Sequence, residues 1–146
     1  MIALLDVNLL VALFDSEHVH HLVAHDWFAE NGDRGWASCP LTENGALRVL
    51  ASPTLELFVP LPDLLARLTR FCARSRHTFW PDDVSLLDSA VVDMHKIRGH
   101  KQLTDVYLLA LAVKNGGRLI TFDEGIPLTA VKGARKEHVH VLAPAE

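Results

Sequence analysis

Four acidic residues stand where a carboxylate is either costly or deliberately aimed. Asp6 ends the apolar run Ile2 to Leu5 and precedes another, so an unpartnered charge there would be expensive. Glu43 falls in the first turn of a helix that Pro40 is suited to open. Asp105 follows Thr104, a good N-cap, and sits where a helix dipole favours negative charge. Asp123 closes the apolar run Arg118 to Phe122. Taken singly, Asp105 and Glu43 could serve only the helix dipole, and Asp123 could start a turn with Gly125. Gathered at one edge, four acids repel, and no basic residue is interleaved among them. A hard divalent cation relieves that repulsion: Mg²⁺ or Mn²⁺ takes a few carboxylates, waters and phosphate oxygens. Such a centre can activate water and clamp a phosphodiester for in-line attack.

The element that must position them is the stretch Leu103 to Gly125. Val106 to Val113 is apolar almost all round, the pattern of a helix buried on most sides, and Lys114 with Gly116-Gly117 stops it. Arg118 to Phe122 reads as a buried strand. A helix of about eleven residues spans ~16 Å, and a strand of about five covers ~17 Å. A strand running back beside the helix therefore returns Asp123 to the edge where Asp105 begins. Further strands are expected at Ile2 to Leu5, Gly35 to Ala37, His77 to Trp80 and Val139 to Leu142. Helices are expected at Asn8 to Phe14, Val19 to Glu30, Pro40 to Leu50, Leu64 to Arg74 and Leu86 to Ile97. Thr54 to Pro62 is loop-like, and Gly125 to Gly133 is irregular. Alternating strands and helices imply an α/β fold with a central parallel sheet covered on both faces. Right-handed crossovers then bring every strand's C-terminal end, and with it the four acids, to one edge.

At 146 residues the chain is expected to be one domain, 1–146, able to bury its own core. Its hydrophobic fraction of 49% argues against disorder. Cys39 and Cys72 lack metal spacing and read as reduced core thiols, which suits a cytoplasmic protein. Asp6 and Asn8 interrupt the apolar N-terminus, which lacks a basic leader, so neither a signal peptide nor a membrane span is expected. The net charge of −4 does not advertise nucleic-acid binding, yet Lys96, Arg98, His100 and Lys101 cluster just before Thr104. Arg98 and Lys101 are the candidates for phosphate contacts. His21 and His25 have the spacing of a zinc helix, but no glutamate follows His21 and no third ligand is evident. Trp27, Trp36 and Trp80 are assigned to the core.

The segments LLDVN, LTENGALRVL, QLTDVYLLALAV and LITFDEG, in that order, resemble the PIN-domain ribonucleases, and most closely the VapC-type toxins of bacterial toxin–antitoxin pairs. The resemblance covers essentially the whole chain. The family's four acids fall on Asp6, Glu43, Asp105 and Asp123, with Asn8, Thr104 and Thr121 as supporting polar residues. It implies a three-layer α/β/α fold and a Mg²⁺ or Mn²⁺ centre held by Asp6 and Asp105, with Glu43 and Asp123 acting directly or through water. It also implies endonucleolytic cleavage of RNA, homodimers, and a small antitoxin that blocks the site. Glu124 is a possible outer ligand. Two other readings stay open: phosphatase-like phosphoryl transfer through Asp6, and a non-catalytic interaction module. The first usually wants an acid two residues after the nucleophile, where this chain has Asn8.

Overall fold

The computed structural model describes residues 1–55 and 59–143. Its sheet is built from β1 (Ala3–Leu5), β2 (Trp36–Ser38), β3 (His77–Phe79), β4 (Arg118–Thr121) and β5 (Val139–Val141). The spatial order is β3-β2-β1-β4-β5, and every pairing is parallel. From β1 the chain steps outward through β2 to β3, then returns to the other flank of β1 with β4 and β5. The order therefore reverses between β1 and β4, the point where α/β sheets place ligands.

The helices are α1 (Val7–Phe14), α2 (His21–Asn31), α3 (Pro40–Leu50), α4 (Leu61–Arg74) and α5 (Leu103–Lys114). Side chains alternate across a strand, and the sheet divides its core accordingly. Ala3, Leu5 and Ile120 pack with Leu9, Leu10, Trp27, Trp36, Ala46 and Leu64 on one face. Leu4, Ala37 and Leu119 pack with Trp80 and with Val106 to Ala112 of α5 on the other. This is the expected three-layer arrangement. It also explains why α5 is apolar all round: Val106 and Leu108 to Ala112 are all buried. The three tryptophans lie in the core, as expected.

The starts of α2 and α4 and one whole element show the clearest differences from the sequence expectation in this part of the fold. Val19 is 82% exposed, and α2 starts only at His21. Helix α4 starts at Leu61, inside the stretch expected to be loop, where Pro60 precedes it and Pro62 fills its first turn. The remainder of that stretch includes residues 56–58, which lie outside those described. The larger difference is at Leu86 to Ile97, where no α-helix forms. Ser85 Oγ, Asp88 Oδ1 and Asp93 Oδ1 each accept the N–H two residues ahead, from Leu87, Ala90 and His95. Such side-chain turns compete directly with helical hydrogen bonds. Val92 instead bridges Val131 in antiparallel fashion, and only Met94–Lys96 makes a 3₁₀ turn.

The turn from α5 into β4 is steric in origin. A Cβ on Gly117 would collide with the Ile2 carbonyl oxygen and the Trp80 ring. Gly117→Ala is expected to destabilise the protein by about 2–4 kcal/mol, as overpacking against backbone does; a denaturant midpoint unchanged from wild type would contradict this. Among the described residues no helix is long and apolar enough to cross a membrane.

Candidate metal-binding active site

Asp6 leaves the end of β1 with φ −64° and ψ 159° and becomes the N-cap of α1, its Oδ1 accepting the Val7 N–H at 2.7 Å. Its Oδ2 accepts the Thr121 hydroxyl at 2.6 Å, a bond between the ends of β1 and β4. Thr121 Oγ1 in turn accepts the Asp123 N–H at 3.0 Å. A single buried hydroxyl thus fixes one acid and the backbone of another across the switch point. Asp105 projects from the first turn of α5. The outcome is that Asp6, Asp105 and Asp123 each present a carboxylate oxygen within 4.8 Å of the others.

The electrostatics follow from that closeness. Burial raises the Asp6 carboxyl above its usual range; its bonds from Thr121 and Val7 oppose the rise, and Asp123 adds to it. Asp105 is pushed up to about 7, first by burial and then by the charges of Asp6 and Asp123. Without a compensating cation, the three acids do not ionise comfortably together at neutral pH. Among the described residues no lysine or arginine relieves them from within: the adjoining hollow, about 350 Å³, is lined by Asp6, Val7, Asn8, Val11, His18, Val49, Thr104, Asp105 and Asp123. Asn8 Oδ1 is buried and has no hydrogen-bond partner, so a further oxygen on this wall is unspent. Carboxylate oxygens at this mutual spacing, with a free amide oxygen beside them, suit a hard divalent ion better than a soft one.

Glu43 is placed differently. It does begin α3, but its Oε2 accepts the Ser38 hydroxyl at 2.5 Å, and Ser38 Oγ also lies 2.7 Å from His77 Nε2. It is not among the acids whose oxygens gather within 4.8 Å. Ser38 ends β2 beside β1, so Glu43 is tethered one strand away from the switch point. Thr104 also departs from expectation: α5 begins at Leu103, because the 3₁₀ turn His100–Gln102 runs straight into it, and Thr104 is therefore inside the first turn, not the cap. Its side chain lines the acid hollow and a neighbouring one of about 550 Å³, which it shares with Val7, Asn44, Arg48 and Asp82. Arg98 and Lys101 are exposed and line neither hollow. Glu124 is also exposed and does not line the acid hollow.

Two residues of these hollows were not assigned to the acids from the sequence. His18 lines the acid hollow, and its Nδ1 accepts the His20 N–H at 3.0 Å. That bond leaves Nε2 as the proton-bearing nitrogen, and burial together with His20 lowers the pKa of the ring. Among the described residues, Arg48 supplies the only lysine or arginine on either hollow. It lies five residues after Glu43 on α3, a faint signal. His18 carried none, since it precedes α2 in a turn. The zinc-like pair does not face this site: His21 Nδ1 is 2.7 Å from the Ala12 carbonyl, and His25 lies beside it.

Thr121→Val tests the architecture of the acids. It removes the donor to Asp6 and the acceptor for Asp123 while keeping the shape. We expect a loss of about 1–3 kcal/mol and metal affinity weakened ~10–100-fold, read by calorimetric titration; intact affinity would show that Asp6 is oriented by Val7 alone.

Comparison with known proteins agrees with this geometry. Residues 3–132 match the model of the PIN domain. The chain is 48% identical to Ribonuclease VapC44 of Mycobacterium tuberculosis (strain ATCC 25618 / H37Rv) over 146 residues, covering 97% of this chain and all of that protein. It is 40% identical to Ribonuclease VapC39 of the same strain over 134 residues, 91% of this chain and 96% of that one. With Ribonuclease VapC38 it shares 46% over 125 residues, 85% and 86% of the two chains. With the acids at the switch point of a parallel sheet and the match running nearly end to end, the chain belongs to the PIN-domain family, among its VapC-type ribonucleases.

Proposed function

We infer that the protein is a divalent-metal-dependent endoribonuclease, the RNA-cleaving toxin of a toxin–antitoxin pair. The observation that carries this is the trio Asp6, Asp105 and Asp123, oxygens within 4.8 Å of one another, with no lysine or arginine among the described residues that line their hollow. These three would hold Mg²⁺ or Mn²⁺, with Asn8 Oδ1 on the same wall. When bound, such an ion supplies a Lewis acid for the phosphodiester and lowers the pKa of water. The chain's own residues do the positioning. Thr121 fixes the Asp6 carboxylate. Asp105 stays at the rigid start of a buried helix. His18 offers a neutral N–H, suited to a non-bridging phosphate oxygen. Glu43, bonded to Ser38, is assigned a role through water. Glu43→Gln should therefore cost cleavage about 10–100-fold, as loss of an outer partner does, less than loss of any aspartate of the trio. An equal loss would return Glu43 to direct metal contact.

Substrate phosphates would enter over Val7 and Thr104 towards Arg48, with Arg98 and Lys101 giving outer, sequence-blind contacts. Arg98→Ala and Lys101→Ala are expected each to lower the dependence of RNA affinity on salt by about one unit of log–log slope, with metal affinity kept. An unchanged slope would remove the segment from the RNA path. A cognate antitoxin would most economically block the acids by inserting an arginine, whose planar fork pairs two oxygens at once, and the active species is taken to be a homodimer. Phosphatase-like transfer is disfavoured because that chemistry usually wants a second acid two residues after its nucleophile, where this chain has Asn8. The deciding experiment is cleavage of linear and structured RNAs with Mg²⁺, Mn²⁺ or chelator. Hydrolysis undiminished in chelator would sink the proposal.

A further inference from the structure

The edge of the sheet opposite the acids carries the inverse charge pattern. Arg118 is the first residue of β4, Val139 opens β5, and Arg34 lies two residues before β2. With Lys136, Glu137 and His140 they surround a concavity of about 370 Å³. Three permanent cations face one carboxylate there. Among the described residues none of these four charges makes an ion pair, and Arg118 Nε is buried without a hydrogen-bond partner. A buried guanidinium N–H left unpaired is costly, and guanidinium groups match phosphate oxygens in a fixed fork. His140 is kept below its usual pKa by burial and by Arg118, so at neutral pH it adds a donor and not a fourth charge.

We propose that this concavity is a second phosphate-binding site, one that takes the ribose-phosphate backbone of a folded RNA while its scissile strand lies at Asp6, Asp105 and Asp123. The inference rests on the ribonuclease reading. From residue 118 to residue 123 the backbone covers about 16 Å, so the two sites lie on opposite edges of one thin sheet. A short linear strand at the acids does not reach the far edge; a folded RNA can cover both. The basic edge would thereby favour structured over short substrates without reading sequence, since phosphate contacts position and do not specify.

The test compares wild type with Arg34→Gln/Lys136→Gln and, separately, Arg118→Gln. Arg34 and Lys136 are exposed, so the double variant should melt as wild type does. Binding is measured in chelator, where no cleavage occurs, against a long stem–loop RNA and a short linear oligonucleotide across a salt series. The double variant should bind the stem–loop about 10-fold more weakly at low salt, with a log–log salt slope shallower by about two. It should bind the short oligonucleotide, and cleave it with metal, as wild type does. Arg118→Gln should weaken the stem–loop alone. Stem–loop binding and slope unchanged in both variants overturn the proposal. So does a response of the His140 resonances to inorganic phosphate with no RNA effect, which would make this a small-anion site. Tighter binding of poly-glutamate than of stem–loop RNA through the same residues would overturn it in favour of an acidic polypeptide. Failure of wild type to cleave either RNA with metal would strike the nuclease reading instead; cleavage with unaltered stem–loop binding strikes only the second site.

Discussion

Asp6→Asn and Asp105→Asn should each abolish RNA cleavage while leaving the metal-free protein at least as stable as wild type. The two halves of that result have one cause. Two unit charges about 5 Å apart repel by ~3 kcal/mol at an effective dielectric of 20, before water and counterions reduce it. Asp6, Asp105 and Asp123 hold oxygens within 4.8 Å of each other, so the folded state carries this repulsion whenever the ion is removed. Asparagine at position 6 still caps α1, because asparagine and aspartate are comparable N-caps, and its amide can still engage Thr121. Asparagine at position 105 loses about 0.3–1 kcal/mol of helix-dipole benefit, so its gain should be the smaller. A net gain of about 1 kcal/mol in chelator corresponds to ~2–4 °C in Tm for a chain of this size. Cleavage should fall by at least about 10²-fold, since the lost interaction supplies several kcal/mol in the transition state. Melting curves in chelator at pH 8 and a cleavage assay on the same preparations decide the matter. If both variants are clearly less stable than wild type, the acids are caps and turn formers, and the catalytic reading loses its physical basis.

The trio was legible in the sequence because each member is tied to an element boundary that hydrophobic patterning marks strongly. Asp6 and Asp123 follow buried runs, and Asp105 opens a helix too apolar to lie anywhere but inside. Parallel pairing and right-handed crossovers then bring strand ends to one edge, whatever the details of the loops. Glu43 was placed on the correct turn of the correct helix, but the aim of its side chain depends on Ser38 at the end of β2 and, through it, on His77, which is distant in sequence. Local patterning carries no information on such a bond. The failed helix at Leu86 to Ile97 has the opposite cause. Its apolar spacing is adequate, but Ser85, Asp88 and Asp93 offer the backbone local bonds, and the bridge to Val131 rewards extension. The place of His18 on the acid hollow and of Arg34 on the basic edge was not legible, because each lies in a turn whose direction is set by tertiary packing.

The stability of the metal-free protein should fall as pH rises from about 4 to about 7, and divalent ion should reverse that trend. Asp105 titrates at about 7 in the folded chain against 3.8 for the unperturbed group. Between those values the folded state holds a proton that the unfolded state has lost, so stability declines with rising pH. The decline begins above about 4, is complete near 7 and persists beyond. Burial raises the Asp6 carboxyl too, which adds in the same direction. His18, His77 and His140 are lowered below 6.5; each favours the folded state as pH rises through that region and partly masks the effect. Comparison with Asp105→Asn cancels the histidines and isolates the carboxyl. Because Asp105 is about half exposed, solvent screening cuts the nominal linkage to about 1–2 kcal/mol. Mn²⁺ or Mg²⁺ must displace the proton, so apparent metal affinity should climb with pH until Asp105 is ionised near 7 and then level off. At one hundred times its dissociation constant the ion adds ~2.7 kcal/mol to the folded state, enough to overturn the alkaline loss. The expected record is a wild-type Tm that, relative to Asp105→Asn, drops with pH in chelator and rises with pH in saturating metal. A flat wild-type curve in chelator, or a metal shift independent of pH, would show that Asp105 is ionised without the cation and that the three carboxylates do not share its charge.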